Sequence, residues 1–203
     1  MTRALATLAA RASFRSARAR HPVTLLVVAA LLTACGGSSQ SGNAFTYLTV
    51  DGFSLSGGTS TATVNSSSNP GTTTTACVTL RNNLKNPTLT GPNTLDNVTI
   101  QSYIVTLTRT DGGSLPGPFT FGAAVLVPAG TVTEGVVAGN TATFPVIVVP
   151  AGAKANPGVV ATAELTFRGR DGRGDSVETE GAVTVVFVSG DEPTVSCSTT
   201  TTP

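Results

Sequence analysis

Alternation of apolar and polar residues dominates the chain from Ala44 onwards. In VVATAELTFR, Val159, Ala161, Ala163, Leu165 and Phe167 fall on one face, and Thr162, Glu164, Thr166 and Arg168 on the other. Side chains of a strand point alternately to the two faces of its sheet, so this period predicts a half-buried strand. TATFPVIVV repeats the pattern with Ala142, Phe144, Val146 and Val148 inward; Pro145 faces out, and its missing donor suits an edge or a bulge. In ACVTLRN, Ala76, Val78 and Leu80 face in, which puts Cys77 on the outer face beside Thr79 and Arg81. The run VTIQSYIVTLTR starts with Val98 and Ile100 in phase, then continues with Tyr103, Val105 and Leu107. That change of parity near Ser102 predicts a β-bulge, or a strand covered on both faces. Gly181 to Val188 reads as a last strong strand. Weaker ones are expected at Phe45–Leu55, Phe119–Val127 and Thr131–Val137.

Glycine, proline and asparagine divide these runs at Asp111-Gly112-Gly113, Pro128-Ala129-Gly130, Ala138-Gly139-Asn140, Pro150–Gly158 and Gly169–Gly174. Asn65–Thr75 and Leu84–Asn97 are too polar and irregular for strands and read as long loops, where binding surfaces tend to sit. Helical periodicity is absent beyond the leader, apart from one turn's worth at Ala151–Asn156. The pattern predicts an all-β fold: a single β-sandwich of about seven to nine antiparallel strands over residues 44–197, with 198–203 as a disordered tail. The arrangement resembles the immunoglobulin-like and fibronectin III-like sandwiches of bacterial envelope proteins. It lacks the tryptophan of antibody domains, and its cysteines are too far apart for their inter-sheet pair. Such a resemblance implies fold and not activity.

The first 34 residues follow a different rule. Arg3, Arg11, Arg15, Arg18 and Arg20 precede the uncharged run VTLLVVAALLTA, Val23 to Ala34, and no acid occurs before Asp51. A membrane-spanning helix needs about 20 apolar residues, so this run is short for one and fits the core of a signal peptide over 1–34. Leu32-Thr33-Ala34-Cys35 resembles the lipobox of bacterial lipoproteins. The resemblance implies a diacylglyceryl thioether on Cys35, cleavage before it, and acylation of the new amino terminus by a fatty acid such as palmitate. Gly36 in place of Asp implies the outer membrane, if the envelope is Gram-negative. GGSSQSGN then reads as a flexible linker, so that residues 35–43 form anchor and tether. Two other readings fit the leader: an ordinary secretory signal, and a mitochondrial presequence suggested by MTRALATLAARASFRSARAR.

Cleavage would leave seven basic residues against eleven acidic ones, a net charge of −4 with no basic patch, which argues against a nucleic-acid partner. The implied partners are the membrane, through the anchor, and a protein of the cell envelope. With Cys35 acylated, Cys77 and Cys197 remain as an even pair in an oxidising compartment, the expected disulfide.

Catalytic chemistry has little to draw on. His21 lies in the leader, so the mature chain can build neither a Ser-His-Asp nucleophile nor histidine zinc ligation. Paired carboxylates, Glu164 with Glu178 or Glu180 on adjacent strands, leave a carbohydrate-acting or other hydrolase as the alternative. RGRDGRGDSVETEG, Arg168 to Gly181, offers two further alternatives. Asp171, Asp175 and Glu178 could supply oxygens to calcium, although Arg170 and Arg173 oppose a cation. Arg173-Gly174-Asp175 resembles the tripeptide of adhesive loops, though a hairpin turn uses the same residue types. The expectation is therefore a non-enzymatic, cofactor-free binding or structural module.

Overall fold

The computed structural model describes residues 44–55, 60–85, 93–133 and 136–198. The leader, Cys35, the linker, the tail from 199 and the middle of the Leu84–Asn97 stretch lie outside the described residues. Strands run in chain order as β1 (Thr46–Ser54), β2 (Thr63–Ser67), β3 (Thr74–Leu84), β4 (Val98–Arg109), β5 (Phe119–Val127), β6 (Thr131–Thr133), β7 (Val136–Ala138), β8 (Asn140–Val149), β9 (Val160–Asp171) and β10 (Ser176–Val188). A 3-10 turn at Thr94–Asp96 precedes β4. The fold is an all-β sandwich. A three-stranded sheet, β1-β3-β8, faces a five-stranded sheet, β2-β10-β9-β4-β5, and β6 and β7 form a small separate hairpin.

The predicted faces are those that the two sheets bury. Val78 and Leu80 of β3 and Leu48 of β1 meet Val105, Leu165, Phe167, Val185 and Phe187 from the opposing sheet, all fully buried. Phe144 meets Phe167 edge-on at 6.1 Å between centroids, one of the two favoured aromatic geometries. Tyr103 ties the layers together, its hydroxyl accepting the Ile147 amide hydrogen at 2.9 Å. Burial pushes this phenol's pKa up, against a smaller downward pull from that hydrogen bond. β8 is an edge strand, and two of its residues blunt the edge: Pro145 has no donor, and the Ile147 donor is already taken.

The parity change in β4 is a bulge at Gln101. Ile100 pairs with Gly169 and Ser102 with Arg168, so Gln101 has no counterpart on β9. Gly169 lies against this irregularity, where a Cβ would sit 2.5 Å from the Thr99 carbonyl oxygen. Gly181 on β10 plays a similar part between the sheets, since a Cβ there would lie 2.8 Å from a methyl of Val50.

Three expectations are corrected. Asn65–Thr75 is not all loop: Asn65–Ser67 belong to β2, which runs parallel to β10 with Thr63 opposite Thr184 and Ser67 opposite Val188, and β3 begins at Thr74. Ser66, Ser67 and Thr74 are buried, so their polarity marks internal hydrogen bonding and not solvent. Thr131–Val137 is not one strand, because Thr131–Thr133 and Val136–Ala138 are separate strands that pair antiparallel with each other. The last strand starts at Ser176 and not at Gly181, since Val177 and Thr179 continue its inward face.

Candidate functional site

The β9–β10 hairpin holds most of the residues singled out above, and its tip is built by one carboxylate. Asp171 Oδ1 accepts the backbone N–H groups of Arg173 at 3.0 Å and Asp175 at 2.9 Å, which folds the intervening residues into a tight turn. Gly174, at φ 90°, takes the left-handed conformation that a side chain would resist. The tip leans on the 3-10 turn: the Gly172 N–H donates to the Leu95 carbonyl at 2.9 Å. Arg173 reaches back to pair with Asp96, and its guanidinium lies 4.3 Å above the Phe45 ring, a cation–π contact.

This geometry separates the sequence candidates. Arg173 is committed to Asp96 and Phe45, so Arg173-Gly174-Asp175 clasps the hairpin to the body. Asp171, Asp175 and Glu178 do not converge. Asp171 is buried in the turn, while Glu178 pairs with Arg168 at 2.8 Å on the outer sheet face. Among the described residues no group of three His, Cys, Asp or Glu side chains is placed to hold a metal ion. Asp171 Oδ2 is nonetheless buried without a hydrogen-bond partner. Glu164 pairs across strands with Ala182 and Glu180 with Thr166, so these two carboxylates are diagonal neighbours on an exposed sheet face.

Cys77 and Cys197 are disulfide-bonded, with a Cα–Cα distance of 5.5 Å and 120 residues between them in sequence. Cys77 points to the outer face of the three-stranded sheet as expected, yet it is fully buried. The segment after β10 crosses that face as a strap, and the Ser196 N–H donates to the Leu55 carbonyl at 3.3 Å.

The strap has a second fastening that the sequence did not announce. Lys154, between β8 and β9, is only 1% exposed at its side chain. Its Nζ donates to Thr74 Oγ1 at 2.6 Å, Ser66 Oγ at 3.0 Å and Glu192 Oε1 at 2.5 Å, which uses all three ammonium hydrogens. Glu192 also accepts from Thr72 and Thr74, both at 2.8 Å. Burial raises the Glu192 pKa, but the hydrogen bonds from Lys154, Thr72 and Thr74 outweigh it, and the net shift is downward. A serine hydroxyl beside a lysine amine is a nucleophile–base pair in principle. Here Ser66 is fully buried, so the cluster reads as a polar clamp joining β2, β3, the β8–β9 loop and the strap. Lys154 stands 38 residues from Glu192 and 88 from Ser66, so no local spacing could reveal it.

Two shallow concavities accompany these features. One, of about 230 Å³, lies between β1 and β10 beside Asp51 and Gly181; the other, of about 440 Å³, lies where Pro193 and Val195 of the strap meet Pro145. Asp51 is already paired with Arg81 at 2.6 Å. Among the described residues no helix is long and apolar enough to cross a membrane. Compared with protein-family models and with curated proteins, the chain matches none.

Proposed function

We propose that the chain is a lipid-anchored protein of a bacterial cell envelope, carrying an immunoglobulin-like sandwich that works by binding or structural support. The observation that carries this reading is the distribution of the three cysteines. Cys77 and Cys197 bond each other, chemistry that belongs to an oxidising, exported compartment, and this leaves Cys35 alone behind Leu32-Thr33-Ala34. Two or three acyl chains on Cys35 would give stable attachment where one chain is marginal, because each buried CH₂ adds about 0.8 kcal/mol. Gly36 favours the outer membrane where the envelope has one. A protein of the same envelope is the proposed partner.

A non-catalytic role is supported by the sealed Ser66–Lys154 pair and by the exposed sheet face that carries Glu164 and Glu180. A carboxylate-dependent hydrolase would need a cleft between its two acids. An adhesive or calcium-binding tip would need Arg173 or Asp171 released from its present partners.

The test is a Cys35→Ser variant expressed beside the parent chain. The parent should show the lipid mass and partition into membranes, and the variant should lose both. A variant that stays membrane-bound overturns the proposal.

A further inference from the structure

One end of the sandwich is unlike the rest. Among the described residues, the large hydrophobic side chains left exposed are Phe45 at 47%, Leu95 at 46% and Leu126 at 51%. All three lie at the same end. Arg173 contacts both the Phe45 ring and Asp96, next to Leu95. Asn82 Nδ2 donates to the carbonyls of Asp96 and Val127, which draws the last residues of β5, Leu126 among them, to the 3-10 turn. Leu126 shares an outer-face row with Thr99 and the exposed Arg170. Scattered exposed leucines need no explanation; three large apolar groups gathered at one tip with an arginine beside them do.

This end is also where the body receives the chain that precedes it. Ala44 is buried at 3% exposure, and Phe45 follows directly. Resting on the anchor reading, eight residues, Gly36 to Asn43, separate the acylated cysteine from Ala44. However they fold, eight residues span at most about 28 Å, and a Gly/Ser-rich chain averages roughly 16 Å. A gap that size is narrower than a small domain, so the surface nearest the patch is the bilayer.

We infer that this tip, Phe45 with Leu95 and Leu126, docks on the lipid surface that holds the anchor. Aromatic and aliphatic side chains flanked by arginine suit the boundary between headgroups and acyl chains. The anchor makes docking intramolecular, so a patch too small to bind vesicles by itself suffices at the high effective concentration that the tether imposes. Arg173, stacked on Phe45, would hold the ring at the tip.

The chain contains no tryptophan, which makes a single introduced indole an unambiguous reporter. Full-length acylated protein carrying Leu95→Trp is compared in vesicles with Ser114→Trp, in the loop after β4. β4 separates the two positions by roughly 36 Å along its length. Bromine on the upper acyl carbons should cut the emission of the reporter at 95 by roughly half, since interfacial insertion reaches about 5–10 Å into the boundary. The reporter at 114 should be unaffected. If the protein floats with the vesicles, mass shows the acyl chains, and neither reporter is quenched, docking is overturned while the anchor stands. If mass shows Cys35 unmodified, both fall.

Discussion

At the scale of single residues, the side chains that matter most are those whose neighbours allow no alternative. Gly169 faces the β4 bulge, and any Cβ there must push the Thr99 carbonyl away. Backbone cannot yield as a flexible side chain can, so Gly169→Ala should cost about 2 kcal/mol, measured by denaturant unfolding. An unchanged midpoint would show that β4 tolerates the displacement. The buried ion pair predicts an asymmetry. Lys154 is 1% exposed and Glu192 18%, so removing the carboxylate charge strands a sealed cation, whereas removing the lysine leaves a partly solvated anion. Glu192→Gln should cost about 3 kcal/mol and Lys154→Met less. The pH dependence follows from the depressed Glu192 value. Its contribution is complete above the ordinary value of 4.5 and is lost as pH falls through the lower folded-state value. The stability difference between parent and Glu192→Gln should therefore close in acid below pH 4.5; a constant difference would remove the carboxylate's charge from the account. The clamp was not legible in the sequence: Ser66 and Thr74 stand in a polar run that reads as loop, and Lys154, on a loop, has its partners far away in the chain.

At the scale of elements, legibility followed one-sided burial. β5 appeared at its observed bounds, Phe119–Val127, and the inward sets of β3, β8 and β9 matched because each strand covers a core on one face and meets solvent or the strap on the other. The bulge in β4 showed as a parity slip because an extra residue must reverse the facing of all that follow. β2 was missed because its inward face carries Val64 and then the hydroxyl of Ser66, which hydrogen-bonds Thr74 and Lys154. Ser67 on the other face donates to the Gly190 carbonyl, and neither serine reads as core. The apolar tip was not readable in the sequence, since Phe45, Leu95 and Leu126 come together only through the fold. The strap gives this scale its prediction. Closing 120 residues should stabilise the fold by up to about 4–5 kcal/mol on chain-entropy grounds. Cys77→Ala with Cys197→Ala should lose much of that. Hydrogen exchange should quicken at Ser196, whose N–H donates to Leu55, while the Ser68 N–H, which donates to Val188 beside the clamp, stays protected. Equal loss of protection at both would mean that the disulfide is the strap's sole fastening.

At the scale of the whole molecule, the two sheets leave their edges in different states. β8 is guarded by Pro145 and by the Tyr103 hydroxyl, while β5, which closes the other sheet, carries neither charge nor proline. The order of strands in that larger sheet has a consequence of its own. β10, the last of the described strands in chain order, lies inside it, with β2 on one side and β9 on the other. Among the described residues β2 has no other strand partner, so it must wait for one more than a hundred residues later. Val64 and Ser66 cannot be seated until the ribosome has delivered Val188, and Glu192 and Cys197 follow later still. Until β10 has been made, a nascent chain of this design keeps β2 unpaired, the state in which an unclaimed strand is most prone to pair wrongly.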